Sequence, residues 1–315
     1  MSGRGDGPNP GSGGSRAVPV TPSLLRNWPL PPAGEDKYSR GTVLVIGGAR
    51  STPGAALLAG TAALRAGAGK LMLAVAESAA VQVAVALPEA GVTGLAETTE
   101  GSVSGSGLER IFADLDAADV VLIGPGLDDM GHAEELLRVL LARASGGATG
   151  GASGGATIVL DAYALGCLPR IEDELRPWRG RLILTPNPTE AGILLGREVD
   201  ALESDVAVIA DKYQAVVSCQ GFIARPSGDD APEDSELWEI GTGYGGLGTS
   251  GSGDILAGAI AGLSARGATA AQAACWGSHL HAAAADRLAS RLGPLGFLAR
   301  ELADELPALM MELDT

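Results

Sequence analysis

The chain has 315 residues, 46% of them hydrophobic, enough for one large core or two domains at most. Only 3% are aromatic and 47 are glycine, so the core has to be packed with Ala, Val, Leu and Ile, with helices approaching sheets closely over small residues. The net charge of −16 argues against a nucleic-acid-binding surface, and an anionic ligand needs a local electropositive pocket.

Residues 1 to 16 are mostly Gly, Pro, Ser and Asn, read as a disordered tail that lacks an apolar signal core. Residues 17–40 carry five prolines and read as an extended lead-in with a short helix near 23–27. Thr42–Ile46 is a continuous apolar run closed by Gly47 and Gly48, the pattern of a buried parallel strand. A helix of small residues is expected over 54–66, closed by Gly67 and Gly69, and then a strand over 70–75. Residues 81–87 fit helix or strand, and 108–115 fit a helix. An apolar strand over 119–123 ends in Gly124-Pro125-Gly126, and an amphipathic helix follows over 132–144.

Residues 145–156 are a Gly/Ala/Ser stretch, expected to be a surface insertion. Strands are expected at Thr157–Leu160, ending at Asp161, and at Leu182–Leu184, ending at Thr185-Pro186-Asn187-Pro188. Helices over 189–195 and 205–212 precede strands over 213–218, 222–225 and Leu237–Ile240, with an acidic loop between the last two. Two long helices, 254–266 and Ala270–Leu292, come next, then a helix over 297–313 broken at Pro307. No stretch has about eighteen uninterrupted apolar residues, so no transmembrane span is expected. Cys167, Cys219 and Cys275 have neither disulfide nor zinc spacing, and a cytoplasmic location fits.

Alternating strands and helices indicate an α/β fold with a mostly parallel sheet covered on both faces. Ligands in such sheets bind at the carboxyl ends of strands. Gly47-Gly48, Gly124-Pro125-Gly126, Asp161, Asn187 and residues 217–221 should therefore share one rim.

The most informative run is Gly248-Thr249-Ser250-Gly251-Ser252-Gly253-Asp254. A glycine turn feeding a helix points backbone N–H groups and the positive end of the dipole at one spot, which suits a phosphate. Asp254 would repel that phosphate. It makes sense as a base for a nucleophilic hydroxyl, or as a simple N-cap. Gly47-Gly48 lacks the GxGxxG spacing of a dinucleotide fold. Gly124-Pro125-Gly126 fits a tight turn or a ligand wall equally well. Asp161 could touch a substrate or metal, or cap a helix. His279 and His281 are two apart on a helix and do not make a metal pair. His132 reads as a surface residue at a helix start.

Four stretches resemble the ADP-dependent NAD(P)H-hydrate dehydratases, a ribokinase-like family. They are Val45-Ile46-Gly47-Gly48 with Pro53-Gly54-Ala55-Ala56, then Leu87-Pro88-Glu89, then Ile123-Gly124-Pro125-Gly126, and finally Gly251-Ser252-Gly253-Asp254 with Leu280-His281. The likeness runs from about residue 37 to the C-terminus and implies a ribokinase-like three-layer αβα sandwich over 37–315, after a disordered or extended tail over 1–36. It also implies repair of hydrated NADH or NADPH, with ADP as phosphoryl donor, Mg²⁺, and release of AMP and phosphate. On that resemblance Asp254 is the base. Gly251, Ser252 and Gly253 form the anion hole, with Gly253 also touching nucleotide. Ala55, Ala56, Gly126, Asn187 and Asp254 line the hydrate site. Val217, Ser218, Cys219, Gln220 and Gly221 cradle AMP. A homo-oligomer is implied, a tetramer by family resemblance, with no nucleic-acid or membrane partner; the metal ligands are unknown.

The chain departs from the family in three places. Asn187 stands where the family has His, Gln220 falls in the family's Lys-Gly motif, and Tyr163 replaces the second acid of Asp-Ala-Asp. Asn can hydrogen-bond but cannot take up a proton near neutrality. Those departures keep two alternatives open: a small-molecule kinase on the same fold, and a catalytically weak nucleotide-binding homologue.

Overall fold

The computed structural model describes residues 17–32, 34–145, 155–228, 236–243 and 246–313. Ten strands form one sheet: β1 (Val18–Val20), β2 (Thr42–Ile46), β3 (Lys70–Ala76), β4 (Ala90–Leu95), β5 (Val120–Ile123), β6 (Thr157–Leu160), β7 (Leu182–Leu184), β8 (Ala215–Cys219), β9 (Phe222–Ala224) and β10 (Leu237–Ile240). Their spatial order is β1-β10-β9-β8-β7-β6-β5-β2-β3-β4. Only β9 runs antiparallel to its neighbours.

Side-chain alternation divides the core into two layers. Val43, Val45, Val120 and Leu122 face one side. There they meet α2 (Pro53–Arg65), α9 (Ser252–Ala265), α10 (Ala270–Leu292) and α11 (Ala299–Glu312). Leu44, Ile46, Val121 and Ile123 face the other side, against α5 (Met130–Ser145), α7 (Pro188–Leu195) and α8 (Leu202–Tyr213). The result is the three-layer αβα sandwich expected from the sequence.

The 17–40 lead-in is more structured than its prolines suggest. β1 pairs with β10, and α1 (Pro22–Asn27) starts at Thr21, whose hydroxyl accepts from the Leu24 N–H at 3.2 Å. The Trp28 carbonyl then accepts from Trp276 Nε1 at 2.9 Å and Gln272 Nε2 at 3.1 Å. Residue 37 is therefore not a structural break, because the segment before it is stitched to α10. The ambiguous 81–87 stretch is the end of α3 (Glu77–Ala86), and the edge strand β4 after it carries no apolar run in sequence. Residues 108–115 form a 3-10 turn that passes into α4 (Phe112–Ala117). Tyr213 closes α8 instead of opening β8.

Pro307 does not break the last helix. α11 runs through it because Leu302, Ala303, Leu306, Leu309 and Met310 bury one continuous face, which outweighs the backbone bond that proline removes. The tail over 1–16, the Gly/Ala/Ser insertion between 146 and 154, and the acidic loop between 229 and 235 lie outside the described residues. Among those described, no helix is long and apolar enough to cross a membrane.

The small residues have a specific use where α9 crosses α2. A Cβ on Gly258 would sit 2.1 Å from the Ala59 carbonyl oxygen, and one on Gly262 would sit 2.3 Å from that of Ala63. No side chain fits between those backbones. Gly258→Ala should therefore cost about 3 kcal/mol, a fall in Tm on the order of 6–12 °C, read by thermal unfolding. This packing fixes where the first turn of α9 points.

Candidate active site

The rim is built by five strand ends. After β2, the Gly48 N–H donates to the Pro125 carbonyl at 2.8 Å and the Ala49 N–H to the Gly126 carbonyl at 2.8 Å. Thr52 Oγ1 donates to the same Gly126 carbonyl at 2.8 Å. A Cβ at Gly126 would lie 3.0 Å from Ala55 Cβ and 2.4 Å from the Thr52 oxygen, and Gly126 has a φ of +74°, so glycine is required there. Ala55 and Gly126 thus meet at one small patch, whereas Ala56 is fully buried in the core. Next door, a Cβ at Gly124 would lie 1.8 Å from the Asp161 carbonyl oxygen, which brings the ends of β5 and β6 together.

The first turn of α9 carries Gly251, Ser252 and Gly253, the residues expected to form an anion hole. Gly251 is the N-cap, with φ +90°, which fits glycine. The Ser252 N–H donates to the Thr249 carbonyl at 3.2 Å, and Ser252 Oγ to the Leu247 carbonyl at 2.6 Å. Gly253 and Asp254 lie in the first turn of the helix, where backbone N–H groups have no intrahelical acceptor. Asp254 is the third residue of the helix, not its cap. Among the described residues its carboxylate accepts no hydrogen bond, and burial pushes it up to about 6.

A cavity of about 440 Å³ opens beside this turn. Its wall includes Asn187, Ser218, Gln220, Ser252, Gly253 and His281. Ser218 Oγ lies 2.8 Å from Ser278 Oγ, tying β8 to α10 under the cavity. Val217 and Cys219 belong to the other core layer, because side chains alternate along β8. Their side chains are fully buried and are not part of the cavity wall. Gln220 and Gly221 both have positive φ, 44° and 92°, and form the two-residue turn between β8 and β9. Among the described residues no Lys or Arg lines the cavity, and there the attraction for an anion rests on backbone dipoles.

Asn187 has a visible structural task. Its side chain accepts from the Glu190 N–H at 3.0 Å while the Glu190 carboxylate accepts from the Asn187 N–H at 2.9 Å, the reciprocal capping box that starts α7. Ala55, Ala56, Gly126 and Asp254 lie outside the cavity lining. Gly251 packs against α2, since a Cβ there would meet Leu58 at 2.6 Å.

Sequence reasoning missed Thr185, Ser278 and the use of His281. Ser278 and His281 sit three apart on α10 and share one helical face, a spacing that marks them as neighbours. His281 is buried, its Nε2 has no hydrogen-bond partner among the described residues, and burial pushes the ring down to about 4, so it is neutral.

The fold defines a class: an αβα sandwich of the ribokinase-like type, with a cavity of about 440 Å³ at the strand ends. A family model described as NAD(P)H-hydrate dehydratase matches residues 43–308, and the chain belongs to that family. It is 43% identical over 308 residues to the ADP-dependent (S)-NAD(P)H-hydrate dehydratase of Xanthomonas campestris, covering 95% of this chain and 98% of that one. It is 32% identical to the enzyme of the same name from Neisseria meningitidis, over 85% and 84% of the two chains. The ADP/ATP-dependent NAD(P)H-hydrate dehydratase of Bacillus subtilis, crystallized with ATP and Mg²⁺, superposes with a TM-score of 0.71 at 26% identity, covering 95% of this chain and all of that one. A ribokinase-like superfamily protein from Enterococcus faecalis shares the fold, with a TM-score of 0.75 at 20% identity over 94% and 96% of the two chains.

Proposed function

We propose that the chain returns hydrated NADH or NADPH to the intact cofactor, with ADP as phosphoryl donor and AMP and phosphate as products. The observation that carries this reading is Asp254, a half-buried carboxylate with no partner in the described chain, placed beside free N–H donors at the mouth of a nucleotide-sized cavity. The nucleotide occupies the cavity, with its transferred phosphoryl group at the Gly253 and Asp254 N–H groups. The hydrate lies toward Ala55 and Gly126. Asp254 takes the proton from the hydrate hydroxyl as that oxygen attacks phosphorus, and AMP leaves. Phosphate then leaves the ring carbon with the bonding electron pair, the neighbouring carbon loses a proton to water, and the ring double bond is restored.

Among the described residues no group of three or more His, Cys, Asp or Glu side chains is arranged to hold a metal. Mg²⁺ therefore belongs with the phosphates of the nucleotide, the usual way this ion is carried, and not to a cage in the protein. Gln220 offers an amide at the cavity wall where the family has a cation, so binding depends more on the helix dipole and on Mg²⁺. Asn187 stands on the wall of that cavity with its side-chain oxygen committed to the Glu190 N–H, so its amide nitrogen is what it offers a ligand.

Because Asp254 works as a base, kcat/KM should rise as pH rises through about 6, where its carboxylate becomes ionised. A pH series with hydrated NADH checks this; a flat profile from pH 5 to 8 contradicts it. The assembly reading is a homo-oligomer. The small-residue helices α9 and α10 are buried within the chain and cannot provide its interface, but Val81 and Val85 on α3 are 73% and 78% exposed beside the edge strand β4. The reducing cytoplasm is the natural compartment for three buried cysteines, none of which is in a disulfide.

The test is incubation of the purified chain with hydrated NADH or NADPH, with ADP or ATP in separate arms and Mg²⁺ present. Recovery of dihydronicotinamide absorbance supports the reading. A stable product heavier by one phosphate, with no cofactor recovered, would assign a kinase instead.

A further inference from the structure

α10 does more than cover the sheet. Ser278, His281 and Ala282 on it line the cavity. Ser278, Ala282 and Asp286 follow one another at intervals of four, so the three share one face of the helix. At one end of that face Ser278 Oγ lies 2.8 Å from Ser218 Oγ of β8. Two turns further on, Asp286 Oδ2 accepts from the Gly243 N–H at 2.8 Å. Between them Ala282 lies against the same glycine. A Cβ on Gly243 would sit 2.9 Å from Ala282 Cβ and 3.3 Å from its Cα. One helix face thus grips the cavity at two places, the end of β8 and the segment that follows β10.

That segment has little else to fix it. The sheet pairing of β10 ends at Ile240, and Ile240, Thr242 and Gly243 all line the cavity. Gly241 and Gly243 flank Thr242, and a Cβ on Gly241 would meet nothing within 4 Å. Gly243 has a φ of +92°. Backbone this rich in glycine loses much freedom when it is ordered. A carboxylate that accepts its N–H makes a charge-assisted bond, stronger than one to a neutral acceptor. Asp286 itself is not part of the cavity wall, so what it does there it does through Gly243.

Resting on the repair reading above, which puts the nucleotide in this cavity, we propose that Asp286 is a positioning residue for the nucleotide. It fixes residues 240–243 against α10 before the ligand arrives, so that binding does not have to order that stretch of wall. The role belongs to the hydrogen bond and not to the charge, because a carboxylate facing a nucleotide would repel it. It concerns the nucleotide and not the hydrate, whose patch at Ala55 and Gly126 lies outside the cavity lining.

Asp286→Ala should raise the Kd for AMP and the KM for ADP about tenfold, while kcat at saturating ADP and the KM for hydrated NADH stay within about twofold of native. Asp286→Asn keeps an acceptor oxygen for the Gly243 N–H and should restore most of the affinity, although it carries no charge. Gly243→Ala leaves Asp286 in place but pushes the same backbone off Ala282, so it should weaken AMP to a similar degree; it carries the test if Asp286→Ala does not fold. Calorimetry with AMP reads the affinities without turnover, and steady-state kinetics separates KM from kcat. Native or tighter AMP binding in Asp286→Ala overturns the proposal. So does an Asn variant as weak as the Ala variant, or a fall in kcat and a rise in the KM for the hydrate that match the loss of nucleotide affinity. If the native chain binds AMP but recovers no cofactor, the repair reading falls and the calorimetric comparison still decides Asp286; if it binds no nucleotide, both fall.

Discussion

Asp254→Asn lowers kcat for hydrate repair by about 10²–10⁴-fold and leaves nucleotide affinity and Tm nearly unchanged. The substitution conserves shape, and among the described residues the carboxylate accepts no hydrogen bond that the fold would lose. Its buried charge is a liability to stability, so the amide is tolerated. The backbone N–H of residue 254 still points at the phosphoryl site. What disappears is the ability to accept the hydroxyl proton, and with it the rise in rate through pH 6. Steady-state kinetics and calorimetry with AMP check both halves. A variant with native kcat would show that another group removes the proton, and one that lost AMP affinity would show that Asp254 acts in binding.

Gly253→Leu should weaken AMP and ADP binding by about a hundredfold or more, ~3 kcal/mol, without unfolding the protein. Gly253 lines the cavity, and a Cβ placed on it meets no atom within 4 Å. The new side chain therefore enters open space that the phosphates need. Leucine also favours helix over glycine by about 1 kcal/mol, so Tm should hold or rise. Gly258, five residues on, gives the opposite result, because its missing side chain makes room for the Ala59 backbone. Two glycines on one helix thus separate ligand space from packing space. Equal nucleotide affinity in Gly253→Leu and native protein would remove the phosphoryl group from this turn.

Much of this was legible in the sequence. Continuous apolar runs such as Val43–Ile46 and Val120–Ile123 announce buried parallel strands, and the glycine-acid turn announces the start of α9. The edge strand β4 was not legible, because Ala90-Gly91-Val92-Thr93-Gly94-Leu95 is only half buried and carries little of the usual signal. β1 was hidden by Pro19, which an edge position tolerates. At the site, residue types pointed to Asp254, but not to the direction each side chain of β8 takes. Ser218 reaches the cavity wall while Val217 and Cys219 enter the core, and only the register of the strand decides that. Asn187 was read as a substrate residue, and its part in the capping box with Glu190 required coordinates. The Asp161–Thr185 pair joins residues 24 apart in sequence, a contact that no local pattern reveals.

The measurement that bears most directly on the central claim is the coupling between ADP consumed and cofactor recovered. The native chain, Mg²⁺, ADP and (S)-hydrated NADH are mixed, and AMP, phosphate and dihydronicotinamide are followed together. The account predicts equal amounts of all three, with none formed when ADP is omitted and almost none with Asp254→Asn. Cofactor recovery without AMP, or AMP formed without cofactor recovery, would contradict it.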